Sequence, residues 1–291
     1  DLFMTTLLDT SPRALPSFFC VTLPKVTAEE EVSLLAAVLA KLEATYGLTH
    51  GALKIELMVE TPRALVSQDG AFALPRLVAA GRGRVTGAHM GSYDYTAALD
   101  ITAAHQSLTH AACDFAKHVM KVCLADTDVF LSDGATTTLP IAPHKDARTS
   151  EQATENRHVV ERAWRAHYAN VLYGLVNGFY QGWDLHPAQL PMRYAALYHF
   201  FLESLAPAAT RLRGFIDAAA QATRQGHDFD DAATGQGLLN FFLRAESSGA
   251  LTASDIHAHT GLALSEIATR SFAAILRGRA TTRDTSSSRK G

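Results

Sequence analysis

The chain has 291 residues, an apolar share of 47% and a formal net charge of −3. This length suits one large domain or two ordinary ones, and the composition is sufficient for a sizeable buried core. Lys and Arg are spread along the chain, which excludes a basic patch for nucleic acid and a polybasic segment for membranes. No apolar run is long enough to span a bilayer, no signal peptide is visible, and the three cysteines form no CxxC pair. We therefore expect a cytoplasmic protein with free thiols and a small-molecule partner.

Strands and helices alternate over roughly the first two thirds of the chain. Apolar and β-branched runs predict strands at 18–24, 53–60, 84–91, 126–131 and 182–186. Helical spacing predicts helices at 27–46, 71–81, 103–123 and 156–176, a polar loop at 143–157, and almost continuous helix from about 191. In the first of these helices, Thr27 is the predicted N-cap, Glu30 completes a capping box, and Gly47 ends the helix.

Alternation of strand and helix is typical of an α/β fold with a parallel sheet. The strands recur at a spacing that suits a barrel, but a closed (β/α)₈ barrel needs eight strands. Only four or five are visible in the sequence, so either an incomplete barrel or an open sheet fits the pattern.

Two carboxylates follow neighbouring predicted strands. Glu60 ends the strand in "LKIELMVETPRAL", and Asp94 follows the next strand in "GSYDYT". Because parallel strands run the same way, both carboxylates are expected at the carboxyl edge of the sheet, where α/β enzymes place their active sites. A hard divalent cation such as Mg²⁺ removes the repulsion between them. The structural alternative is that Glu60 caps the next helix and Asp94 makes a turn.

Other polar residues near strand ends are candidates for a site. Lys25, at the end of "TLPK", is either a substrate-binding cation, a Schiff-base nucleophile or a solvent-facing lysine. Gly91 and Ser92 precede Asp94, and glycine lets a ligand approach the backbone closely. These two residues are therefore candidates for substrate binding.

Three further residues lie close to predicted strand ends. Asp133 and Gly134, in "SDGATTTLP", bind substrate through backbone N–H groups and hydroxyls or form a plain turn. His89 is a candidate pocket residue but not a predicted metal ligand, and thirteen histidines in the chain give no single one prominence. His186, before Pro187, is more typical of a structural histidine.

The motifs "LPKV" (23–26), "IELMVETPRAL" (55–65), "GSYDYT" (91–96) and "GFYQGWDLHPAQL" (178–190) occur in this order. Together they resemble the HpcH/HpaI aldolase and citrate lyase β-subunit superfamily, which has the pyruvate/phosphoenolpyruvate type of TIM barrel. The nearest branch is an uncharacterised "aldolase/citrate lyase family" group. The resemblance covers roughly residues 15–190.

The resemblance implies a role for several of these positions. Glu60 and Asp94 match the two acids that bind Mg²⁺ in the family, with Mn²⁺ as a possible substitute. Lys25 matches the lysine of its "PK" motif, and His186-Pro187 match the "HP" that begins its last barrel strand. The implied chemistry is carbon–carbon cleavage or condensation of a 2-oxo acid through an enolate that the metal stabilises.

The sequence also departs from the family. Four barrel strands precede "PK" in the family, whereas only about 15 residues precede the matching strand here. We therefore expect a partial TIM-barrel catalytic domain at 1–190 that contains only the C-terminal half of the barrel. A helical extension at 191–278 and a disordered tail at 279–291 are expected to follow. The helical extension forms either a homo-oligomer interface, as in citrate lyase relatives, or a domain core.

Four functions remain open from the sequence. A Mg²⁺-dependent lyase or aldolase is the first, and it depends on Glu60 and Asp94. An acyl-CoA condensing enzyme or thioesterase of the malate synthase kind is the second, and a Schiff-base enzyme that uses Lys25 is the third. The fourth is a non-catalytic binding protein or an inactive fragment.

Overall fold

The computed structural model describes residues 2–11, 15–224, 232–272 and 274–278, so the tail predicted to be disordered at 279–291 lies outside the described residues. The chain divides into two compact units, Asp1–Leu190 and Pro191–Gly291. No helix in the described ranges has the length and apolar character needed to cross a membrane. The assignment of a catalytic role to the first unit stays a prediction.

The first unit alternates strands with helices. Its strands are β1 (Cys20–Leu23), β2 (Lys54–Val59), β3 (Val85–Met90), β4 (Phe130–Ala135) and β5 (Gln181–Trp183). Its helices are α1 (Leu2–Thr10), α2 (Glu29–Tyr46), α3 (Pro62–Leu65), α4 (Leu74–Ala80), α5 (Ser92–Ala98), α6 (Ala111–Leu124) and α7 (Ser150–Val176), with 3₁₀ turns at Ala103–His105 and Pro187–Gln189.

The five strands form one parallel sheet in the order β1-β2-β3-β4-β5. The predicted α/β fold with a parallel sheet is thereby confirmed. Within the described residues the sheet is open, with β1 and β5 at its edges. All five carboxyl ends meet at one edge, which is where parallel sheets place ligand sites.

The two faces of the sheet differ in character. Ile55, Leu57 and Val59 of β2 are almost fully buried and belong to one hydrophobic cluster with residues of α2 and α4. Glu56 and Met58 point to the opposite face because successive strand side chains alternate. On that face Thr22 Oγ1 donates to Glu56 Oε2 at 2.9 Å. The apolar face therefore holds the core, and the polar face adjoins the carboxyl-edge loops.

The start of α2 differs from the prediction. The N-cap is Ala28, not Thr27, and Ala28 offers no side-chain hydrogen bond. Glu31, not Glu30, reaches back, because its carboxylate accepts hydrogen bonds from the N–H and the hydroxyl of Thr27 at 2.8 and 3.0 Å. The predicted end is confirmed, since Gly47 adopts φ +68°, a left-handed conformation that glycine tolerates.

The strand predicted at 126–131 is wrong in position, because β4 runs from Phe130 to Ala135. Asp126 has φ +57°, and a left-handed residue interrupts an extended strand. The helix predicted at 156–176 begins earlier, at Ser150, because the Thr149 hydroxyl accepts a hydrogen bond from the Gln152 N–H. The polar loop is correspondingly shorter than 143–157.

Two more boundaries are corrected. The helix predicted at 103–123 is a 3₁₀ turn followed by α6, and the predicted strand 182–186 is reduced to the three residues of β5. His186 lies after β5 and does not begin a strand. Its Nδ1 accepts a hydrogen bond from the Ala188 N–H at 3.1 Å, so it caps the following 3₁₀ turn.

The second unit is helical, as predicted from residue 191 onward. It contains α8 (Leu190–Arg224), α9 (Ala232–Ser247), α10 (Ala253–Thr260) and α11 (Leu264–Ala268). Phe201, Leu212, Phe242 and Ile256 are buried in it. The proposed homo-oligomer interface in this unit stays a prediction.

Candidate active site

Three charged residues lie at the carboxyl ends of adjacent strands. Lys25 follows β1, Glu60 directly follows β2, and Asp94 lies in the first turn of α5 after β3. The sheet order therefore brings together residues that are far apart in the sequence.

Glu60 is buried, with only 5% of its surface exposed. Its Oε1 accepts a hydrogen bond of 2.7 Å from the backbone N–H of Lys25. The alternative that Glu60 caps the next helix is wrong, because Thr61 is the N-cap of α3 and its hydroxyl accepts from the Ala64 N–H. Glu60 is thus a buried carboxylate that does not cap a helix.

Asp94 is more exposed than Glu60 and forms an ion pair with Lys25. Its Oδ1 lies 2.5 Å from Lys25 Nζ. Asp94 belongs to helix α5, so the alternative that it makes a turn is also wrong. The hydrogen bond from Lys25 lowers the pKa of Asp94, whereas burial raises the pKa of Glu60, with the nearby charge of Asp94 adding to that effect.

A cavity of 170 Å³ opens beside these carboxylates. Its polar lining consists of Glu60, Ser92, Tyr93, Asp94 and Thr137. Its remaining lining consists of Met58, Met90, Gly91, Ala135, Trp183 and Leu185. The cavity therefore offers an anionic corner, hydroxyl groups and an apolar wall.

Gly91 and Ser92 both line the cavity, at the positions where the sequence predicted substrate contacts. A Cβ on Gly91 would come within 2.4 Å of Glu60 Cβ and 2.7 Å of Glu60 Oε2, so only glycine leaves room for the carboxylate. Ser92 is 2% exposed, and its Oγ has no hydrogen-bond partner among the described residues. A buried hydroxyl without a partner is costly unless a ligand or water satisfies it.

Asp133 and Gly134 do not line the cavity. Asp133 is buried, and its Oδ2 lies 3.7 Å from the Nζ of Lys117, which is itself 2% exposed. A Cβ on Gly134 would come within 2.6 Å of Ser92 Oγ, so this glycine leaves space for the serine. Their geometry favours structural support over substrate contact.

His89 is buried on the polar face of the sheet, near Glu56. Its ring makes an edge-on contact with Trp183, with centroids 5.0 Å apart. Burial lowers the pKa of His89 to about 4, so the ring is neutral near pH 7. His89 does not line the cavity but touches a residue that does.

The structure contains a buried polar network around Thr136 that none of the sequence motifs predicted. His167 of α7 lies 2.8 Å from Asp184 Oδ1 through its Nε2 and 2.9 Å from Thr136 Oγ1 through its Nδ1. Asn170 donates to the same Thr136 hydroxyl at 3.0 Å. Gln189, fully buried, donates to the Thr136 carbonyl at 2.9 Å. The loop after β4 is therefore held by α7 and by Gln189.

Among the described residues, no group of three or more His, Cys, Asp or Glu side chains is arranged to hold a metal ion. The two carboxylates at Glu60 and Asp94 are a smaller donor set. Mg²⁺ commonly takes one or two carboxylates and completes its octahedron with waters or substrate oxygens, whereas structural zinc sites need four protein ligands. The donor chemistry thus fits Mg²⁺ or Mn²⁺ better than zinc.

Solved structures of similar fold are known. A solved citrate lyase from Burkholderia xenovorans LB400 matches with a TM-score of 0.56 and 18% identity, over 83% of this chain and 67% of that chain. A lead(II) complex of malate synthase from Haloferax volcanii matches with a TM-score of 0.47 and 14% identity, over 92% of this chain and 73% of that chain.

The sequence comparisons identify the family directly. A family model described as "Domain of unknown function (DUF6986)" matches residues 1–275, so the chain belongs to that family. No curated protein matches the sequence significantly.

Proposed function

We propose that this chain is a lyase of the aldolase and citrate lyase type that requires Mg²⁺ or Mn²⁺. Its substrate is a 2-oxo acid or related carboxylic acid, free or as a thioester, and the reaction breaks a carbon–carbon bond. The observation that carries this proposal is the buried Glu60 beside Asp94 on the wall of a cavity at the carboxyl edge of a parallel sheet.

The site fits a divalent cation on grounds of charge. Glu60 is held in a buried position next to a second carboxylate, and burial raises its pKa. Burying carboxylates together is unfavourable unless positive charge compensates them. Lys25 supplies one positive charge, on the side of Asp94. Glu60 and Asp94 would hold the metal, and the metal would supply the positive charge that stabilises an enolate.

Glu60, Lys25 and Ser92 each have a different role in this proposal. Glu60 is oriented by the Lys25 N–H, so its carboxylate is preorganised toward the cavity. The Lys25 ammonium, with 64% of its side chain exposed, attracts an incoming carboxylate to the cavity. Ser92 belongs to the cavity lining, and its buried hydroxyl, which has no partner among the described residues, would hydrogen-bond a substrate oxygen.

We also propose that the sheet is of the (β/α)₈ barrel type found in the HpcH/HpaI aldolase and citrate lyase superfamily. The sequential parallel order of its five strands supports this, because barrel strands follow one another around the sheet in chain order. The similarity in fold to the solved citrate lyase agrees with the same class.

Exchange of the pyruvate methyl protons with deuterated water tests the enolate chemistry. We expect the protein with Mg²⁺ to accelerate this exchange, followed by NMR, and EDTA to abolish it. Glu60→Gln should slow exchange by at least about 100-fold, as expected when a preorganised electrostatic group is lost. Glu56→Gln is the matched control, since Glu56 lies on β2, the strand that Glu60 follows, but does not line the cavity. Exchange that survives EDTA or Glu60→Gln would contradict the proposal.

A further inference from the structure

The hydroxyl of Tyr93 accepts a hydrogen bond at the cavity wall. Tyr93 lies in the first turn of α5, is half-buried, and lines the cavity beside Asp94. Thr137 donates its hydroxyl proton to the Tyr93 phenolic oxygen at 3.0 Å. A phenol has one proton to donate and can accept as well. Here the phenolic oxygen accepts from Thr137, and the phenolic proton has no acceptor among the described residues.

The partner of Tyr93 is held firmly in place. Thr137 follows Thr136, whose hydroxyl contacts His167 and Asn170 and whose carbonyl accepts from Gln189. Gln189 also donates to the Thr138 carbonyl at 3.4 Å. The residue before Thr137 is therefore fixed by buried polar contacts, and the residue after it accepts one longer hydrogen bond. Such support behind a binding group is what a preorganised site needs.

The size of the cavity beside Tyr93 indicates what size of ligand it suits. Ligand sites for drug-sized molecules usually enclose about 300–1,000 Å³, whereas this cavity has a volume of 170 Å³ and is open to solvent. A short 2-oxo acid such as pyruvate or oxaloacetate suits a cavity of this size beside Tyr93.

We infer that Tyr93 is a further substrate-binding residue, which donates its phenolic proton in a hydrogen bond to an oxygen of a bound short-chain 2-oxo acid. Glu60 and Asp94 form the anionic side of the cavity, and a substrate oxygen that carries negative charge is a better acceptor for Tyr93 than a neutral one. Thr137 is a positioning residue that turns the phenolic proton toward the ligand. This inference rests on the proposed function and specifies its substrate class.

Calorimetry with oxalate in the presence of Mg²⁺ tests the inference. Oxalate is a planar dianion that resembles the enolate of pyruvate, and its binding requires no turnover. We expect Tyr93→Phe to bind Mg²⁺ like the wild type but to bind oxalate roughly 10- to 100-fold more weakly, the loss expected for one hydrogen bond to a charged group. Tyr95→Phe is the matched control, because Tyr95 lies on the same helix, is buried, and lines a different cavity. That variant should bind oxalate like the wild type.

Thr137 provides an independent arm of the test. Thr137→Val should weaken oxalate binding, and Thr137→Ser, which keeps the hydroxyl, should restore it. If only the threonine methyl group mattered, Thr137→Val would bind oxalate normally and Thr137→Ser would bind it weakly. Thermal unfolding of each variant checks that the fold is retained.

The outcomes separate this inference from the proposed function. If wild type and Tyr93→Phe bind oxalate equally well, the role of Tyr93 is overturned and the metal-dependent function stands. If the wild type binds no oxalate with Mg²⁺ present, both the proposed function and the role of Tyr93 are overturned.

Discussion

The backbone N–H of Lys25 donates a 2.7 Å hydrogen bond to the buried Oε1 of Glu60. Lys25 has φ +52°, a left-handed conformation that is uncommon for a residue with a Cβ. Strained backbone of this kind persists where the surrounding structure requires it, often at functional sites. The same residue contacts Asp94 through its ammonium group. Lys25 thus orients one carboxylate through its backbone and neutralises the other through its side chain.

This arrangement predicts that Lys25 does not form a Schiff base. A Schiff-base lysine must be neutral, usually through a desolvated environment. Here the hydrogen bond to Asp94 raises the pKa of Lys25, and its side chain is largely exposed. We expect borohydride treatment with pyruvate to leave the mass of the Lys25 peptide unchanged, with Lys25→Met treated in parallel. A pyruvate-derived mass increase on that peptide, absent in Lys25→Met, would contradict this.

Gly91→Ala should damage the site selectively. The added Cβ would meet Glu60 Cβ at 2.4 Å and displace the carboxylate. We expect Mg²⁺ affinity to fall at least about 10-fold and stability to fall by about 1–3 kcal/mol, typical of overpacking. Gly214→Ala, in the second unit, has open space around the added Cβ and should stabilise its helix slightly. Unchanged Mg²⁺ affinity in Gly91→Ala would count against the placement of Glu60.

Asp133→Asn should reduce stability without affecting the cavity. Lys117 is buried and faces Asp133 at 3.7 Å and Asp114 at 3.5 Å. Because Asp114 still faces Lys117 after the substitution, we expect a loss of about 1–3 kcal/mol, the cost of removing one partner of a buried polar group. Asp69→Asn, which removes an exposed pair with Arg76, is the control and should cost less than about 1 kcal/mol. Urea unfolding measures both. Weaker oxalate binding by Asp133→Asn at unchanged stability would instead support the substrate-binding role predicted from sequence.

Acid should weaken the fold through Glu43. Its buried carboxylate accepts two hydrogen bonds from Arg84, at 2.6 and 2.8 Å, and further bonds from the Gly51 and Leu53 N–H groups. Arg84 foremost lowers the pKa of Glu43 to about 2, from an ordinary value of 4.5. A lowered pKa means that this contribution to stability is complete above pH 4.5 and is lost as the pH falls toward 2.

Urea midpoints measured between about pH 7 and about pH 3 test this contribution. The wild type should lose more stability over that range than Glu43→Gln, which begins less stable because Arg84 is left without its partner. Identical pH slopes for the two proteins would show that Glu43 does not carry this effect.

The part of the site that lies on regular strands could be predicted from the sequence. Alternating apolar runs predicted β2 and β3 closely, and parallel strand direction then predicted that Glu60 and Asp94 would lie at one edge. The fold class followed from the same alternation of strand and helix. These predictions depend only on local patterns and on a general rule of sheet geometry.

The parts that depend on backbone conformation or tertiary contact could not be predicted. The left-handed conformation of Asp126 shifted β4, and no local pattern signals such a residue when it is not glycine. The contact between His167 and Asp184 joins a helix to a loop. The hydrogen bond from Thr137 to Tyr93 joins a loop to the start of a helix that is distant in the chain. For the same reason, Asp133 was predicted to bind substrate from its position after a strand, but its side chain faces Lys117.

Calorimetric titration of Mg²⁺ into wild type, Glu60→Gln and Glu56→Gln tests the central claim most directly. If Glu60 is a metal ligand, wild type and Glu56→Gln will bind Mg²⁺ alike, binding will strengthen when oxalate is present, and Glu60→Gln will show no measurable heat. If Glu60→Gln binds Mg²⁺ as tightly as the wild type, the buried carboxylate is not a metal ligand and the proposed lyase chemistry is wrong.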